Sequence, residues 1–125
     1  MASKAAVLYI DDEYLNLSAF EIRFKNQFSV FITPNPGSAI EFVKNNKFDV
    51  IIADQKMPVV TGVELLKKII EIDESTLRII HSGYMDDPEI NKAIDEGIAH
   101  ALLDKPLDKS KMMDIIEAFM GSRNH

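Results

Sequence analysis

Ala5-Ala6-Val7-Leu8-Tyr9-Ile10-Asp11-Asp12-Glu13 sets six hydrophobic residues directly against three acids. An uninterrupted apolar run of that length, with no polar alternation, reads as a strand buried on both faces. Four more such runs follow it, Phe28–Ile32, Phe48–Ala53, Leu77–Ile80 and Ile98–Leu103. The intervening segments carry helix-start signals. Asn35-Pro36 and Asp87-Pro88 each place a capping side chain before a proline at the first helical position. Thr61-x-x-Glu64 is a capping box opening a helix over Val63–Glu71. Asp108 is expected to cap a last helix that ends near Met120, where Gly121 and a polar tail follow. Five strands alternate with five helices. That order predicts an α/β fold, one doubly wound parallel sheet with helices on both faces, because parallel neighbours need crossover connections.

Composition sets the outer limits. The 125 residues suffice for one domain with a real core, and 46% hydrophobic with 27% charged residues excludes disorder. Cysteine is absent, so disulfides, thiol nucleophiles and thiolate metal sites are excluded. The net charge of −6 argues against direct nucleic-acid binding, which needs a basic face. No apolar run approaches the roughly 18 residues that span a bilayer, so no membrane partner is expected. Met1-Ala2-Ser3-Lys4 has no signal-peptide layout, which makes the cytoplasm the expected location. The chain is expected to form a single domain over 1–125. Its core runs from about 5 to 120 and its short polar tail over 121–125, with no output domain following.

In doubly wound sheets ligands bind outside the carboxyl ends of the strands. Those ends carry Asp11-Asp12, Asp54, Ser82-Gly83 and Asp104-Lys105-Pro106. Three carboxylates, a hydroxyl and an ammonium therefore meet at one edge. Crowded carboxylates repel unless a cation offsets them, and oxygen ligands without His or Cys favour Mg²⁺, with Mn²⁺ as the alternative. A phosphate-bearing nucleotide fits poorly. Asp-Asp-Glu would repel it, and neither a G-x-G-x-x-G nor a G-x-x-x-x-G-K loop occurs. Capping of the first helix by Asp11 or Asp12 explains one acid of the pair but not a doubled acid facing Asp54.

Tyr9-Ile10-Asp11-Asp12-Glu13, Asp49–Pro58, Ile79-Ile80-His81-Ser82-Gly83 and Leu103-Asp104-Lys105-Pro106 together resemble the receiver domains of two-component response regulators. Each motif alone is weak; all four in order, each at the end of its own strand, are specific. The resemblance covers Ala5 to Met120 and implies a flavodoxin-like sheet of order 2-1-3-4-5. It implies a signalling switch and not a turnover enzyme, with Asp54 as phosphoacceptor. Mg²⁺ is then bound by Asp12 directly, by Asp11 mainly through water, by Asp54 and by the main-chain carbonyl of Lys56. Ser82 and Lys105 match the hydroxyl and the lysine that meet the phosphoryl group, and the Lys105-Pro106 bond is expected to be cis. The implied partners are a sensor histidine kinase or histidine phosphotransfer protein, plus an unidentified downstream target or output domain. A homodimer through the fourth helix, fifth strand and fifth helix is compatible with the same resemblance.

Several residues have plainer readings. Leu17, Phe20 and Phe24 mark the core stripe of the first helix, and Leu15, Ala19 and Ile22 mark a second apolar stripe beside the acids, a docking candidate for the phosphodonor. Met112, Ile115, Ile116 and Phe119 are expected in the core, whereas Met113 and Met120 suit either its edge or a contact patch. His81 and His100 read as packed or half-exposed rings and not as ligands. The pattern also departs from the family in two places: Leu102 stands where receivers often have Tyr or Phe, and Ser82 where threonine is more frequent. A fold-only interaction module would lack an acid or the lysine. A phosphohydrolase would carry D-x-D after the first strand. Neither mark is present.

Overall fold

The computed structural model describes residues 4–84 and 86–123. The expectations placed on Met1-Ala2-Ser3 and on the last two residues of the tail lie outside that range. Strands β1 (Ala6–Ile10), β2 (Ser29–Thr33), β3 (Val50–Asp54), β4 (Leu77–Ser82) and β5 (Ala101–Asp104) alternate with helices α1 (Tyr14–Phe24), α2 (Pro36–Asn45), α3 (Gly62–Ile72), α4 (Pro88–Asp95) and α5 (Lys109–Arg123). All pairings are parallel, in the order β2-β1-β3-β4-β5. The predicted architecture is the observed one.

Strand alternation sorts the core into two layers. Leu8, Ile10, Ile51, Ala53 and Ile80 pack toward α2, α3 and α4, against Val43, Leu66, Ile69 and Ile90. Val7, Tyr9, Val50, Ile52 and Ile79 pack toward α1 and α5, against Leu17, Phe20, Phe24, Met112 and Ile116. Tyr9 and Phe20 stack with ring centroids 4.2 Å apart. Met113 and Met120 lie half-buried against this second layer together with Ile115 and Phe119, so both methionines line the edge of the core.

The predicted caps form. Asn35 Oδ1 accepts from the Gly37 and Ser38 amides at 2.7 and 3.2 Å, and Asp87 Oδ1 from Glu89 at 2.8 Å. Thr61 and Glu64 complete their reciprocal box. Asp108 Oδ1 accepts from the Lys111 amide at 3.1 Å.

Three expectations need correction. Burial on both faces holds for β1, β3 and β4, whereas the outer strands β2 and β5 are only partly covered by the helix layers. The last helix passes through Gly121 to Arg123, whose Nη1 meets Asp49 Oδ1 at 2.8 Å and so secures the extra turn. The fifth strand starts at Ala101 and not at Ile98, because Arg78 claims the preceding backbone.

Arg78 is buried at the foot of β4. Its Nε donates to the Ile98 carbonyl at 2.8 Å, Nη1 to those of Glu74 and Thr76 at 2.9 Å, and Nη2 to that of Gly97 at 3.0 Å. Its amide donates to His100 Nδ1 at 2.9 Å. Gly97, at φ 76°, ends α4 in a Schellman turn: its amide bonds to Ile94 O and the Ile98 amide to Ala93 O. That turn aims the Gly97 carbonyl at the guanidinium.

Candidate phosphoacceptor and metal site

Asp11 follows β1, Asp54 ends β3, Ser82 ends β4 and Lys105 follows β5, all at one edge of the sheet. Asp11, Asp12 and Asp54 each offer a carboxylate oxygen, and these oxygens lie within 4.8 Å of one another. Lys105 Nζ stands 3.0 Å from Asp54 Oδ1. Four of the five side chains expected at this edge, Asp11, Asp12, Asp54 and Lys105, stand together.

Each group is held differently. Asp11 is fully buried and accepts from the Glu13 amide at 3.0 Å, from Asn16 Nδ2 at 3.0 Å and from the Tyr9 hydroxyl at 3.3 Å. Its side chain thus stabilises the first turn after β1, while Glu13, the N-cap of α1, makes no side-chain cap. Asp12 and Asp54 keep free oxygens for a cation. Burial, followed by the Asp11 charge, raises the Asp54 pKa above the usual carboxylate range even though the Lys105 hydrogen bond pulls it down. Burial works against the Lys105 ammonium, but its hydrogen bond to Asp54 and the charges of Asp54 and Asp11 hold its pKa up. Three acids and one lysine leave the edge short of positive charge, and a hard divalent cation of the Mg²⁺ type fits that deficit.

Among the described residues the Ser82 hydroxyl makes no hydrogen bond to the acids; Oγ accepts from the Tyr84 amide at 3.0 Å. The Lys56 ammonium lies 3.8 Å from the centroid of the Tyr84 ring, a cation–π contact between the loops after β3 and β4. The Lys105-Pro106 bond is cis, as expected. Val59, in the loop leading to α3, is fully exposed with φ 77°, a left-handed conformation unfavourable for a β-branched residue. Gly62 begins α3 against the site. A Cβ there would sit 2.6 Å from the Asp54 carbonyl oxygen, so only glycine permits the approach.

The α1 residues behave as the spacing predicts. Leu17, Phe20 and Phe24 are buried, whereas Leu15 and Ile22 are 84% and 69% exposed and Ala19 is also open to solvent. A cavity of about 230 Å³ lies beside this face, between Ala19, Phe20 and Arg23 of α1 and Lys105, Pro106 and Leu107.

Two buried polar residues near the site carry no sequence signal of a role there. His81 is packed, as expected, but its Nδ1 lies 3.2 Å from the Tyr9 hydroxyl that also reaches Asp11. Burial and then the Lys105 charge push its pKa down to about 4, so the ring is neutral. Gln55, directly after Asp54, is 2% exposed. Nothing in a single glutamine after an apolar strand signals burial, since its partners come from loops distant in sequence.

The response regulator receiver domain family model matches residues 7–117. The hydrogenase transcriptional regulatory protein HoxA of Cupriavidus necator is 30% identical over 113 residues, which are 90% of this chain and 23% of that protein. The chain thus spans about a quarter of the length of that regulator. Sporulation initiation phosphotransferase F of Bacillus subtilis is 27% identical, with 95% of this chain and 96% of that protein covered. Among solved structures, a response regulator receiver domain from Clostridium thermocellum superposes with a TM-score of 0.87 at 28% identity, covering 96% and 97% of the two chains. Sheet order, strand-end chemistry and sequence similarity converge, and the chain belongs to the response regulator receiver domain family, the phosphorylatable switches of two-component signalling.

Proposed function

We propose that Asp54 accepts a phosphoryl group from the phosphohistidine of a sensor kinase or histidine phosphotransfer protein. The observation that carries this reading is a buried carboxylate at the end of β3, 3.0 Å from Lys105 and within reach of two further acids. An Asp54 carboxylate oxygen attacks phosphorus, the P–N bond breaks, and the electron pair leaves with the imidazole nitrogen. Anions meet in this step, so the barrier is largely electrostatic. The reading assigns a Mg²⁺ site to Asp11, Asp12, Asp54 and the Lys56 carbonyl, with Mn²⁺ as substitute; bound there, the cation supplies charge neutralisation at the phosphoryl oxygens. Lys105 is positioned to neutralise another oxygen. Ser82 Oγ accepts from the Tyr84 amide and so keeps its own O–H to donate to a phosphoryl oxygen. The acyl phosphate adds roughly one negative charge and three acceptor oxygens, which can redistribute the loops between two arrangements.

Leu15, Ala19 and Ile22 form the docking stripe of this reading, since they present apolar surface that starts just after the acidic pair and does not serve the core. The receiver unit extends over about 5–120, and the same reading places it in the cytoplasm.

Intact-mass measurement after incubation with acetyl phosphate and Mg²⁺ tests the assignment. The expected result is a gain of one phosphate, prevented by EDTA and lost in Asp54→Asn; undiminished labelling of that variant would refute the site. In the same assay Ile22→Asp is expected to keep labelling from acetyl phosphate and to lose transfer from a phosphohistidine protein. Equal loss with both donors would withdraw the docking stripe.

A further inference from the structure

Gln55 is bonded at every polar position. Its amide N–H donates to the His81 carbonyl at 3.2 Å and its carbonyl accepts from the Gly62 amide at 3.1 Å. Side-chain Oε1 accepts from the Val63 amide at 3.1 Å, while Nε2 donates to the Glu89 carboxylate and, at 3.4 Å, to Asp87 Oδ2. This orientation of the side-chain amide is chemically determined, because the reverse would set its oxygen against two carboxylates and its NH₂ against an N–H donor. One side chain therefore joins the first turn of α3 to the first turn of α4, and it belongs to the residue bonded covalently to Asp54.

The far end of α4 is held by the Gly97 carbonyl on Arg78, but its first turn has little else to locate it. The helix is eight residues long, and Ile90 and Ala93 are its buried side chains. Asp87, which Gln55 holds, is also its N-cap. A tether at that end is a large share of what fixes the first turn, and a buried side chain bonded at both ends cannot absorb movement by changing rotamer.

We propose that Gln55 is a positioning residue that couples Asp54 to the start of α4, so that a phosphoryl group on Asp54 shifts α4 through the Gln55 side-chain amide. The proposal rests on Asp54 being the phosphoacceptor. It gives a phosphoryl-dependent partner a specific surface to read, the first turns of α4. An apolar side chain of similar volume at position 55 would fill the space but could not transmit, since the Val63 amide and the two carboxylates would lose their shared partner.

The test uses the full chain and beryllofluoride with Mg²⁺, which stands in for the phosphoryl group on the carboxylate. Amide NMR shifts are followed at Asp54–Met57 and at Asn91–Asp95, in the unaltered protein, Gln55→Met and Glu89→Ala. The expected result is full shifts near Asp54 in all three and an at least about two-fold smaller shift along α4 in both variants. Glu89→Gln, which keeps an acceptor for Nε2, is expected to restore most of the α4 response. Acetyl phosphate labelling of Gln55→Met is expected to persist. Undiminished α4 shifts in Gln55→Met and Glu89→Ala, with normal shifts at Asp54, would overturn the coupling alone. An unaltered protein showing no shift at Asp54 would overturn the phosphoacceptor reading and the coupling with it.

Discussion

At the foot of β4, Arg78 is a buried cation with four main-chain carbonyls as acceptors and, among the described residues, no carboxylate partner. At the opposite edge of the same sheet, Asp11, Asp12 and Asp54 crowd together with Lys105 as their nearby ammonium. Both ends bury charge, but the foot distributes one charge over dipoles aimed at it, and the top collects like charges that repel. Burial lowers the Arg78 pKa without discharging so strong a base, whereas burial and the Asp11 charge raise that of Asp54. The first arrangement is complete as it stands. The second is left short of counter-charge, and the proposed function completes it with a cation and then a phosphoryl group. A buried charge whose partners are all internal reads as scaffold; one short of counter-charge reads as a site.

The contrast can be broken from either end. Arg78→Leu is expected to have the largest effect, a loss of about 3 kcal/mol of stability by urea denaturation, because four carbonyls, one buried and three part-buried, lose their donor together. Phosphate labelling of the folded fraction is expected to be unchanged; a stability loss under about 0.5 kcal/mol would show that water replaces the guanidinium.

Asp54→Asn works in the other direction, with a gain on the order of 1 kcal/mol in the metal-free protein near neutral pH. The sign follows from protonation. With its folded pKa raised, Asp54 contributes stability below the ordinary carboxylate range, and that contribution is lost as pH rises through the folded value. Metal-free stability is therefore expected to fall over that interval, less steeply in Asp54→Asn, and Mg²⁺ is expected to restore it at the upper end. Identical pH profiles for the two proteins would remove the claim of electrostatic strain.

The smallest effect is expected from Val59→Gly. Relief of the left-handed conformation at φ 77° outweighs the greater freedom of glycine in the unfolded chain, for a net gain of about 0.5 kcal/mol by thermal denaturation. A loss of stability would show that the exposed valine is not strained.

The same division separates what could be read from the sequence from what could not. Apolar runs and local caps write the fold directly, since Asn35, Thr61 and Asp87 act within three residues of themselves. The strand-end acids are equally legible because parallel topology sends every carboxyl end to one edge. Arg78 and Gln55 were not legible, because their partners lie in loops that only the folded chain brings near. The misplaced start of β5 has that same origin: Ile98 looks like strand until Arg78 occupies its carbonyl. Leu102 sits half-buried against the α2–α4 side of the core, so the usual aromatic position is filled by aliphatic packing.

Gly62 carries no charge, proton or nucleophile, yet the Asp54 carbonyl oxygen leaves no room for a methyl beside it. In a saturation library scored for signalling, position 62 is therefore expected to tolerate as little change as position 54. Such a tolerance map would rank the spacer with the proposed phosphoacceptor, and only a phosphate-labelling readout on folded protein would tell the two apart.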